Sequence, residues 1–462
     1  MLGYLLTLSC LHFVTTLCVG EEEPLLLTPY LNNGSIEQAR KLSSVDPRDF
    51  PLAELNESYA GYITANQTLG NHLFFWFFPS ANNSHAPLLV WLNGGPMISS
   101  MVGLLWENGP LEIFIDDMDY LYLKKRRHSW ADPFSMLYVD SPVGAGYSYT
   151  ESGAAGVRAT HEGITLDLYS FLEQFYVMFP EYKHRELYIG GQSYAGKYIP
   201  HFAHYIHQQI QNKKTDIPLT GIYIGGAFYD PPVQNVAYFE YLYSMGVISH
   251  AQKRKYQRVA NQELENFQKN SKKKLNMIDI QLLVLPYVGL FTLDNYVTDE
   301  QVRIDDVKII MSSGTTSKAV HVGNRTFVSF NLELFEKFGQ EFFVSVKPEM
   351  AVLMNSYKVL LFSGDYDVIV SSVTVDMAVQ TTPWTGQKSY NQTRRTAWVS
   401  EDGRVRGFYS QTDRFCRVVV KGAGHQTPRD QPETTLDMMM QFVEHGCITP
   451  IKHNFRGGQK HF

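Results

Sequence analysis

The sequence has few cysteines, no overall excess of positive charge and no long apolar run after its first twenty positions. Among its 462 residues there are four cysteines, and the formal net charge is −6 with an isoelectric point near 6.2. That charge balance is not typical of a nucleic-acid-binding protein. No segment beyond the N-terminus is apolar enough to span a membrane, and no Cys/His spacing resembles a zinc site. We therefore predict no nucleic-acid partner, no transmembrane segment, and no metal or cofactor.

Short clusters of basic residues and histidines do occur. The runs KKRR at 124–127 and KKK at 272–274 are flanked by polar or acidic sequence, which favours solvated faces over a binding patch. His201, His204 and His207 recur at every third position of a predicted helix. A metal-binding face is disfavoured there, because no carboxylate accompanies them at ligand spacing.

The N-terminus predicts export. Residues 1–20 form a candidate secretory signal peptide: their apolar run is too short for a comfortable membrane span and ends in small residues suited to cleavage. The mature chain is then 21–462. Six N-x-S/T sequons also favour the secretory route. They lie at Asn33, Asn56, Asn66, Asn82, Asn324 and Asn391. These features predict a secreted protein or one of the lysosomal or endosomal lumen.

The cysteines agree with an oxidising lumen but do not prove a disulfide. Cys10 and Cys18 fall within the predicted signal and would be removed with it. Only Cys416 and Cys447 remain in the mature chain. These two could pair, but their spacing cannot show that they do.

Apolar runs typical of buried strands alternate with helical segments through most of the chain. Hydrophobic residues make up 44% of the composition, which suffices for a large core. The pattern predicts a mainly parallel sheet in an α/β fold, with ligands bound at the carboxyl ends of the strands. From about 233 to 317 the chain is rich in Gln, Lys, Asn and Tyr with helical spacing, which predicts a mostly helical insertion.

The stretch YIGGQSYAGKYIP at 188–200 predicts a sharp turn between a buried strand and a helix. Ser193 sits in that turn between the small residues Gly191 and Ala195. A serine so flanked, after a strand and before a helix, has the sequence form of a nucleophile elbow. By itself the signal is weak, because a glycine-rich turn after a strand is often only a turn.

Two further strand ends strengthen this interpretation. The strand YKVLLF is followed by Asp365 and Asp367, and the strand RVVV is followed by His425. The chain order Ser, Asp, His is that of α/β-hydrolase triads. A histidine base is needed to take the serine proton, and an acid is needed to orient the imidazole. Either aspartate could instead cap a turn, and the residues themselves barely decide between the two.

Acyl-transfer chemistry also requires donors for the developing oxyanion. The residue after the nucleophile and an early strand-end loop usually supply backbone N–H groups. Tyr194 follows Ser193 directly. The segment Asn93-Gly94-Gly95-Pro96 follows the buried strand PLLVWL, and Gly95 is its candidate donor.

Several motifs together identify a family resemblance. The segments WLNGGP, SSMVGLLWENGP, YVDSPVGAGYSYT, QSYAGKYIP and GAGHQTP resemble the serine carboxypeptidase family over nearly the whole mature chain. Within it, LTPY, LFFWFFP, FPEYK and SVKP are most similar to the vitellogenic-like carboxypeptidase branch. The resemblance implies an α/β-hydrolase fold with a helical cap, and removal of single residues from peptides with a free C-terminal carboxylate.

The resemblance also implies roles for individual residues. Ser193 corresponds to the nucleophile, Asp367 to the triad acid and His425 to the base, with Gly95 and Tyr194 as oxyanion donors. The positions that bind the terminal carboxylate of the substrate in this family are Asn93, Gly94, Glu107 and Gln192 in this sequence.

Four positions depart from the family pattern. Gln192 stands where a glutamate usually precedes the nucleophile; an amide can donate its hydrogen bond at any pH, so we expect activity with less bias toward acid. Met97-Ile98 replaces a glycine and a small residue, and Gly226 replaces an asparagine. Met97, Ile98 and Gln192 keep one alternative open: a weak or inactive member that acts as a binding or stabilising partner. An acyltransferase that uses the same triad with another acceptor in place of water is a further alternative, which nothing in the sequence excludes.

Overall fold

The residues that the structure describes contain thirteen strands, and eleven of these form one sheet. The computed structural model describes residues 23–80, 82–269, 293–298, 303–339 and 341–450. The candidate signal peptide lies outside these residues. The strands are β1 Tyr59–Asn66, β2 Asn71–Phe78, β3 Leu88–Leu92, β4 Leu111–Ile115, β5 Leu121–Lys125, β6 Ser135–Val139, β7 Tyr149–Thr150, β8 Leu187–Gln192, β9 Leu219–Gly225, β10 Lys358–Gly364, β11 Thr396–Val399, β12 Val405–Thr412 and β13 Phe415–Val420.

Helices cover both faces of this sheet and occupy the predicted insertion. The α-helices are Thr28–Asn32, Ile36–Ser43, His161–Met178, Ala195–Gln211, Pro231–Ser244, His250–Lys269, Ile304–Met311, Gly314–Ala319, Leu332–Phe335, Lys347–Ser356, Ser372–Thr381, Gln387–Tyr390, Thr427–Asp430 and Pro432–His445. A π-helix spans Gly103–Asn108, and 3₁₀ turns span Pro47–Asp49, Gly153–Ala155, Pro180–His184, Glu336–Phe338 and Glu341–Phe343. Among the described residues, no helix has the length and apolar character needed to cross a bilayer.

The strand order is β1-β2-β6-β3-β8-β9-β10-β13-β12-β11, with β7 paired to β2. Every neighbouring pair from β6 to β13 is parallel, and the pairs at both edges are antiparallel. Strands β4 and β5 form a separate hairpin. The prediction of an α/β-hydrolase fold with a mainly parallel central sheet is therefore confirmed.

The core lies on both faces of the sheet because the central strands are apolar on both sides. In β8, Leu187 and Ile189 belong to one buried cluster and Tyr188 to the other. Cys416 and Cys447 form a disulfide that ties β13 to the segment after the last helix. Parallel strands end at a common edge, so the loops after β3, β8, β9, β10 and β13 are brought together there.

The described part of residues 233–317 is helical, as the composition indicates. It contains most of Pro231–Ser244, all of His250–Lys269 and Ile304–Met311, and the start of a short helix. Residues 270–292 and 299–302, which include the KKK run, lie outside the described residues. The boundaries of a cap insertion stay a prediction.

Candidate active site

Ser193 occupies a left-handed turn between β8 and the helix Ala195–Gln211, with a φ of 61°. The turn tolerates only small neighbours. A Cβ atom on Gly191 would lie 1.9 Å from the carbonyl oxygen of Leu92, and one on Gly196 would lie 2.7 Å from the backbone nitrogen of Phe228. The tight strand–turn–helix geometry predicted for the elbow is present.

His425 lies beside Asp367 at the same edge of the sheet. Nδ1 of His425 is 2.8 Å from Oδ2 of Asp367, and Oδ1 of Asp367 accepts the backbone N–H groups of Ile369 and Val370. The carboxylate is fully buried and held from both sides. Burial alone lowers the pKa of His425, but the charge of Asp367 and of nearby carboxyl groups outweighs it and raises the pKa above its ordinary value.

The two candidate aspartates have different partners. Oδ1 of Asp365 accepts the backbone N–H groups of Gly422 at 2.7 Å and Ala423 at 3.2 Å. Asp365 thereby supports the loop that leads to His425, whereas Asp367 contacts the imidazole itself. The residues alone left open whether Asp365 or Asp367 is the partner of His425. The contacts in the structure favour Asp367.

Two backbone N–H groups face the region of Ser193. Gly94 packs so closely that a Cβ atom there would lie 2.6 Å from the backbone nitrogen of Tyr194. Gly95, at a φ of 112°, and Tyr194 both line the cavity that contains Ser193. Within the described part of the chain, neither N–H group donates to a carbonyl, so both can bind an oxyanion.

Asn93 and Glu107 meet Gln192 beneath this loop. Nε2 of Gln192 donates to Oε1 of Glu107 at 2.6 Å. Oδ1 of Asn93 accepts from the indole of Trp91 and from the backbone of Gly103, which leaves its amide group to donate elsewhere. The four positions that the resemblance implies for carboxylate binding, Gly94 included, thus lie in one place.

Glu107 is an unusual carboxyl group. It is 1% exposed, and burial raises its pKa to about 8, although the charge of His425 partly opposes this. Within the described residues, its Oε2 atom has no hydrogen-bond partner. At neutral pH Glu107 is therefore mostly protonated, and its O–H group is a donor that no protein acceptor uses.

A cavity of about 300 Å³ connects these groups. Ser193, His425, Asn93 and Gln192 line it, together with a largely apolar wall. That wall consists of Ile98, Val102, Phe228, Leu293, Ile304, Phe342, Ile369 and Val370. Such a site combines a nucleophile and base with room for apolar side chains of a ligand.

The positions that depart from the family pattern border the site. Met97 has a φ of 73°, which favours glycine, yet its side chain is fully buried in the core. Gly226 has a φ of 49°, and a Cβ atom there would lie 3.1 Å from Oδ2 of Asp367. In spite of Met97, the backbone N–H group of Gly95 in this loop donates to no carbonyl within the described residues.

Sequence reasoning missed two buried supporting residues. Asp140 accepts from the hydroxyl of Ser99 and the backbone of Ser100, and thus holds the loop that carries Gly95. Lys197, one turn after Ser193, is also fully buried. Their sequence signals are weak, although Asp140 directly follows the strand β6, a position that could have been noted.

The interpretation of KKRR at 124–127 as a solvated cluster is wrong for one member. Arg126 is buried and donates to the carbonyl groups of Leu105, Gly109 and Leu111. A guanidinium has five donors, so it can satisfy several carbonyls around the π-helix that carries Glu107. The error arose because charge patterning cannot show which residue of a run faces inward.

The histidines at every third position have other contacts. His201 stacks on His161 at 4.8 Å, and His204 stacks on His207. In the described ranges, no group of three or more His, Cys, Asp or Glu side chains is arranged to hold a metal ion. Of the six sequons, all except the half-buried Asn66 have an exposed asparagine.

Comparison with known proteins gives a consistent result. A family model described as serine carboxypeptidase matches residues 49–445. A human protein, probable serine carboxypeptidase CPVL, is 36% identical over 91% of this chain and 90% of its own length. The vitellogenic carboxypeptidase of Aedes aegypti is 33% identical over 91% of this chain and 90% of its own length.

A solved structure shares the fold. It is a prohormone-processing carboxypeptidase, Kex1, from Saccharomyces cerevisiae. The TM-score is 0.77 at 22% identity, with 88% of this chain and 96% of that chain covered. At this identity the likeness shows the shared architecture only.

Proposed function

This chain belongs to the serine carboxypeptidase family and is an enzyme of that class, and we propose that it releases C-terminal residues from peptides through Ser193, His425 and Asp367. The main observation behind the proposal is a single cavity that combines groups for acyl transfer with groups that can bind a carboxylate. Ser193 in its strained turn, His425 of the buried Asp–His pair, and Gln192 all line it, and the amide of Gln192 donates to the buried Glu107 behind it. Triad acyl transfer and recognition of a terminal carboxylate require these two parts together.

The reaction proceeds in two halves. Oγ of Ser193 attacks the carbonyl carbon of the last peptide bond while Nε2 of His425 takes the hydroxyl proton. Asp367 keeps the other ring nitrogen protonated and stabilises the imidazolium. His425 then protonates the leaving amine, the C-terminal residue departs, and Ser193 holds the rest of the peptide as an ester. Water, activated by His425, hydrolyses that ester.

Gly95 and Tyr194 stabilise the tetrahedral intermediates of both halves. Their backbone N–H groups donate to the oxygen that becomes negatively charged. Loss of one such donor typically lowers kcat about 10²–10³-fold. Because Asp140 holds the loop that carries Gly95, it acts as a positioning residue for this part of the site.

Specificity for the chain end comes from Asn93, Gly94, Glu107 and Gln192. Asn93 supplies an amide donor, and protonated Glu107 supplies an O–H group. A terminal carboxylate accepts both bonds, and charge strengthens them. An internal peptide or a C-terminal amide brings no such charge, so these groups favour removal of the last residue over cleavage within a chain.

The test uses active-site labelling and matched substrates. We expect a fluorophosphonate to label the intact protein and to leave Ser193→Ala unlabelled. Blocked dipeptides with a free carboxylate should be hydrolysed, and the same dipeptides with a C-terminal amide should not. Absence of labelling would favour the binding-partner alternative, and transfer of the acyl group to added nucleophiles in preference to water would favour an acyltransferase.

We also propose a location in the secretory pathway, either secreted or in the lysosomal or endosomal lumen. The N-terminal signal candidate, the exposed sequons and the Cys416–Cys447 disulfide support it. Treatment of the cell-expressed protein with peptide N-glycosidase should lower its apparent mass. An unchanged mass in a protein recovered from the cytosol would contradict the proposal.

A further inference from the structure

Lys197 is fully buried directly behind the nucleophile. Its ammonium group donates to three backbone carbonyls: Glu341 at 3.1 Å, Phe342 at 2.6 Å and Val344 at 2.6 Å. An ammonium has three donors, so this set satisfies it completely. The triad mechanism makes no use of Lys197, and a buried charge is normally expensive. Its contacts therefore call for a separate explanation.

The three carbonyls belong to one segment, residues 341–344, that forms part of the cavity wall through Phe342. The Phe342 ring lies 5.2 Å from that of Tyr194 and 5.4 Å from that of Phe228. Lys197 lies in the first turn of the helix after Ser193. It thus connects this segment to the same helix that follows the nucleophile.

A second set of contacts holds the segment from its other side. Oε2 of Glu341 lies 2.7 Å from Nδ1 of His161, and Nε2 of His161 lies 3.2 Å from the hydroxyl of Tyr194. Tyr194 is also the residue whose N–H group faces the oxyanion position. The position of Phe342 is therefore fixed relative to Ser193 and Tyr194, not to the outer surface.

The cavity has two sides relative to Ser193. A bound terminal carboxylate places the released residue near Asn93 and Glu107. Val102 lines the cavity on that side, since the backbone N–H of the adjoining Gly103 donates to Asn93. Phe342 contacts Tyr194 and Phe228 instead. With the terminal carboxylate bound as proposed above, Phe342 borders the side that receives the residue preceding the released one, whose carbonyl becomes the ester.

We propose that Lys197 is a positioning residue that holds Phe342 as a wall of the pocket for this penultimate residue, and that the pocket selects large apolar side chains there. The inference rests on the proposed carboxypeptidase function and names its substrate preference. Phe342 and Phe228 present aromatic surface to the ligand, and burial of an apolar side chain against them contributes binding free energy. Without Lys197, three buried carbonyls lose their donor and the segment shifts.

The experiment compares blocked dipeptides that differ only in the penultimate residue, Phe or Ala. We expect the wild type to prefer Phe, and Lys197→Met to reduce that preference in kcat/KM roughly tenfold, mainly through KM. Phe342→Ala should reduce it as much, and the double variant should reduce it no further. Selectivity for the terminal residue itself should not change, whereas a general structural defect would alter that selectivity as well.

Lys358→Met is the matched control. Its ammonium also donates to a backbone carbonyl, that of Val443 at 2.7 Å, and to the hydroxyl of Tyr188, but it does not line the cavity. We expect this variant to keep the wild-type preference. Lys197→Gln, which retains two N–H donors, should recover part of the loss and replaces Lys197→Met if that variant does not fold.

The outcomes separate this inference from the proposed function. A folded, fully labelled Lys197 variant with wild-type preference overturns the inference while the carboxypeptidase function stands. If the wild type hydrolyses no dipeptide but still reacts with fluorophosphonates, peptidyl phosphonates bearing a benzyl or a methyl group replace the dipeptides. The ratio of their labelling rates then measures the preference, and a Lys197 variant with the wild-type ratio overturns the inference. A wild type that is neither active nor labelled overturns both.

Discussion

The side-chain amide of Gln192 donates to the buried carboxyl group of Glu107 across 2.6 Å, over a separation of 85 positions in the chain. An amide donor in this place cannot lose a proton, so Glu107 is the titratable member of the pair. Since burial raises the pKa of Glu107 to about 8, the pair keeps a donor for a substrate carboxylate through neutral pH.

The first prediction concerns the pH profile of activity. In Gln192→Glu, two carboxyl groups share the site, and the first of them to ionise already adds a negative charge that repels the substrate carboxylate. We expect the alkaline limb of kcat/KM for a blocked dipeptide to move toward acid by at least about one pH unit. Gln411→Glu, at an exposed position of β12, is the charge-matched control. A wild-type optimum that is purely acidic and lost by about pH 6 would contradict the prediction.

The second prediction concerns stability. Glu107 has a raised folded-state pKa, so its contribution is present at low pH and declines as pH rises from about 4.5 to about 8. Burial likewise raises the pKa of Asp140 and Asp294 to about 6. The raised pKa of His425 also makes the folded state less stable as the pH rises into the alkaline range. The buried histidines with a lowered pKa have the opposite sign, but they are neutral above about pH 6.5, so the wild-type Tm should decline from there toward pH 8.

Glu107→Gln isolates one of these groups. The variant keeps an acceptor for Gln192 but cannot ionise, so the decline in Tm between about pH 6 and pH 8 should become shallower. Thermal unfolding in a series of buffers measures it. A variant whose Tm profile runs parallel to that of the wild type would show that Glu107 is already ionised at low pH.

The third prediction concerns the space beside the triad. In Gly226→Ala, the new Cβ atom would lie 3.1 Å from Oδ2 of Asp367 and 3.2 Å from the imidazole of His425, at a φ that disfavours alanine. We expect kcat to fall roughly tenfold because small displacements of catalytic groups are costly, with KM little changed. Gly246→Ala also has a positive φ but open surroundings, and it should lower stability without lowering kcat.

The fourth prediction concerns the disulfide. Cys416 and Cys447 are 31 positions apart, and a loop of that length corresponds to about 4 kcal/mol of stabilisation in the chain-entropy description. The double variant Cys416→Ala/Cys447→Ala should lose about that much unfolding free energy in denaturant titrations. It should keep kcat/KM at room temperature, since neither residue lines the cavity. Loss of activity in a folded double variant would contradict this.

Local patterns predict much of the architecture correctly. Residues 160–179 have helical periodicity followed by Pro180, and the structure has a helix at His161–Met178 whose start is capped by the Thr160 hydroxyl. The parallel strands and the residues at their carboxyl ends follow from apolar runs bounded by turn residues. Family motifs then supplied roles for Asn93 and Glu107 that no spacing argument could reach.

Contacts between distant side chains could not be predicted in this way. Asp365 and Asp367 follow the same strand, and only the packed structure shows which one meets His425 and which one supports its loop. Arg126 reads as one charge in a solvated run, yet it is buried against carbonyls near Glu107. The left-handed backbone conformation of Met97 likewise could not be predicted from its residue type.

The sequence by itself determined the strand ends, the elbow at Ser193 and the order of the triad residues, because these depend on periodicity and turn chemistry within short windows. Only the tertiary structure decided the partner of Glu107, the left-handed backbone of Met97 and the hydrogen bonds of Lys197 to residues 341–344. Those features depend on burial and on contacts between residues far apart in the chain, 85 positions for Glu107 and Gln192 and more than a hundred for Lys197 and Phe342, which no local pattern records.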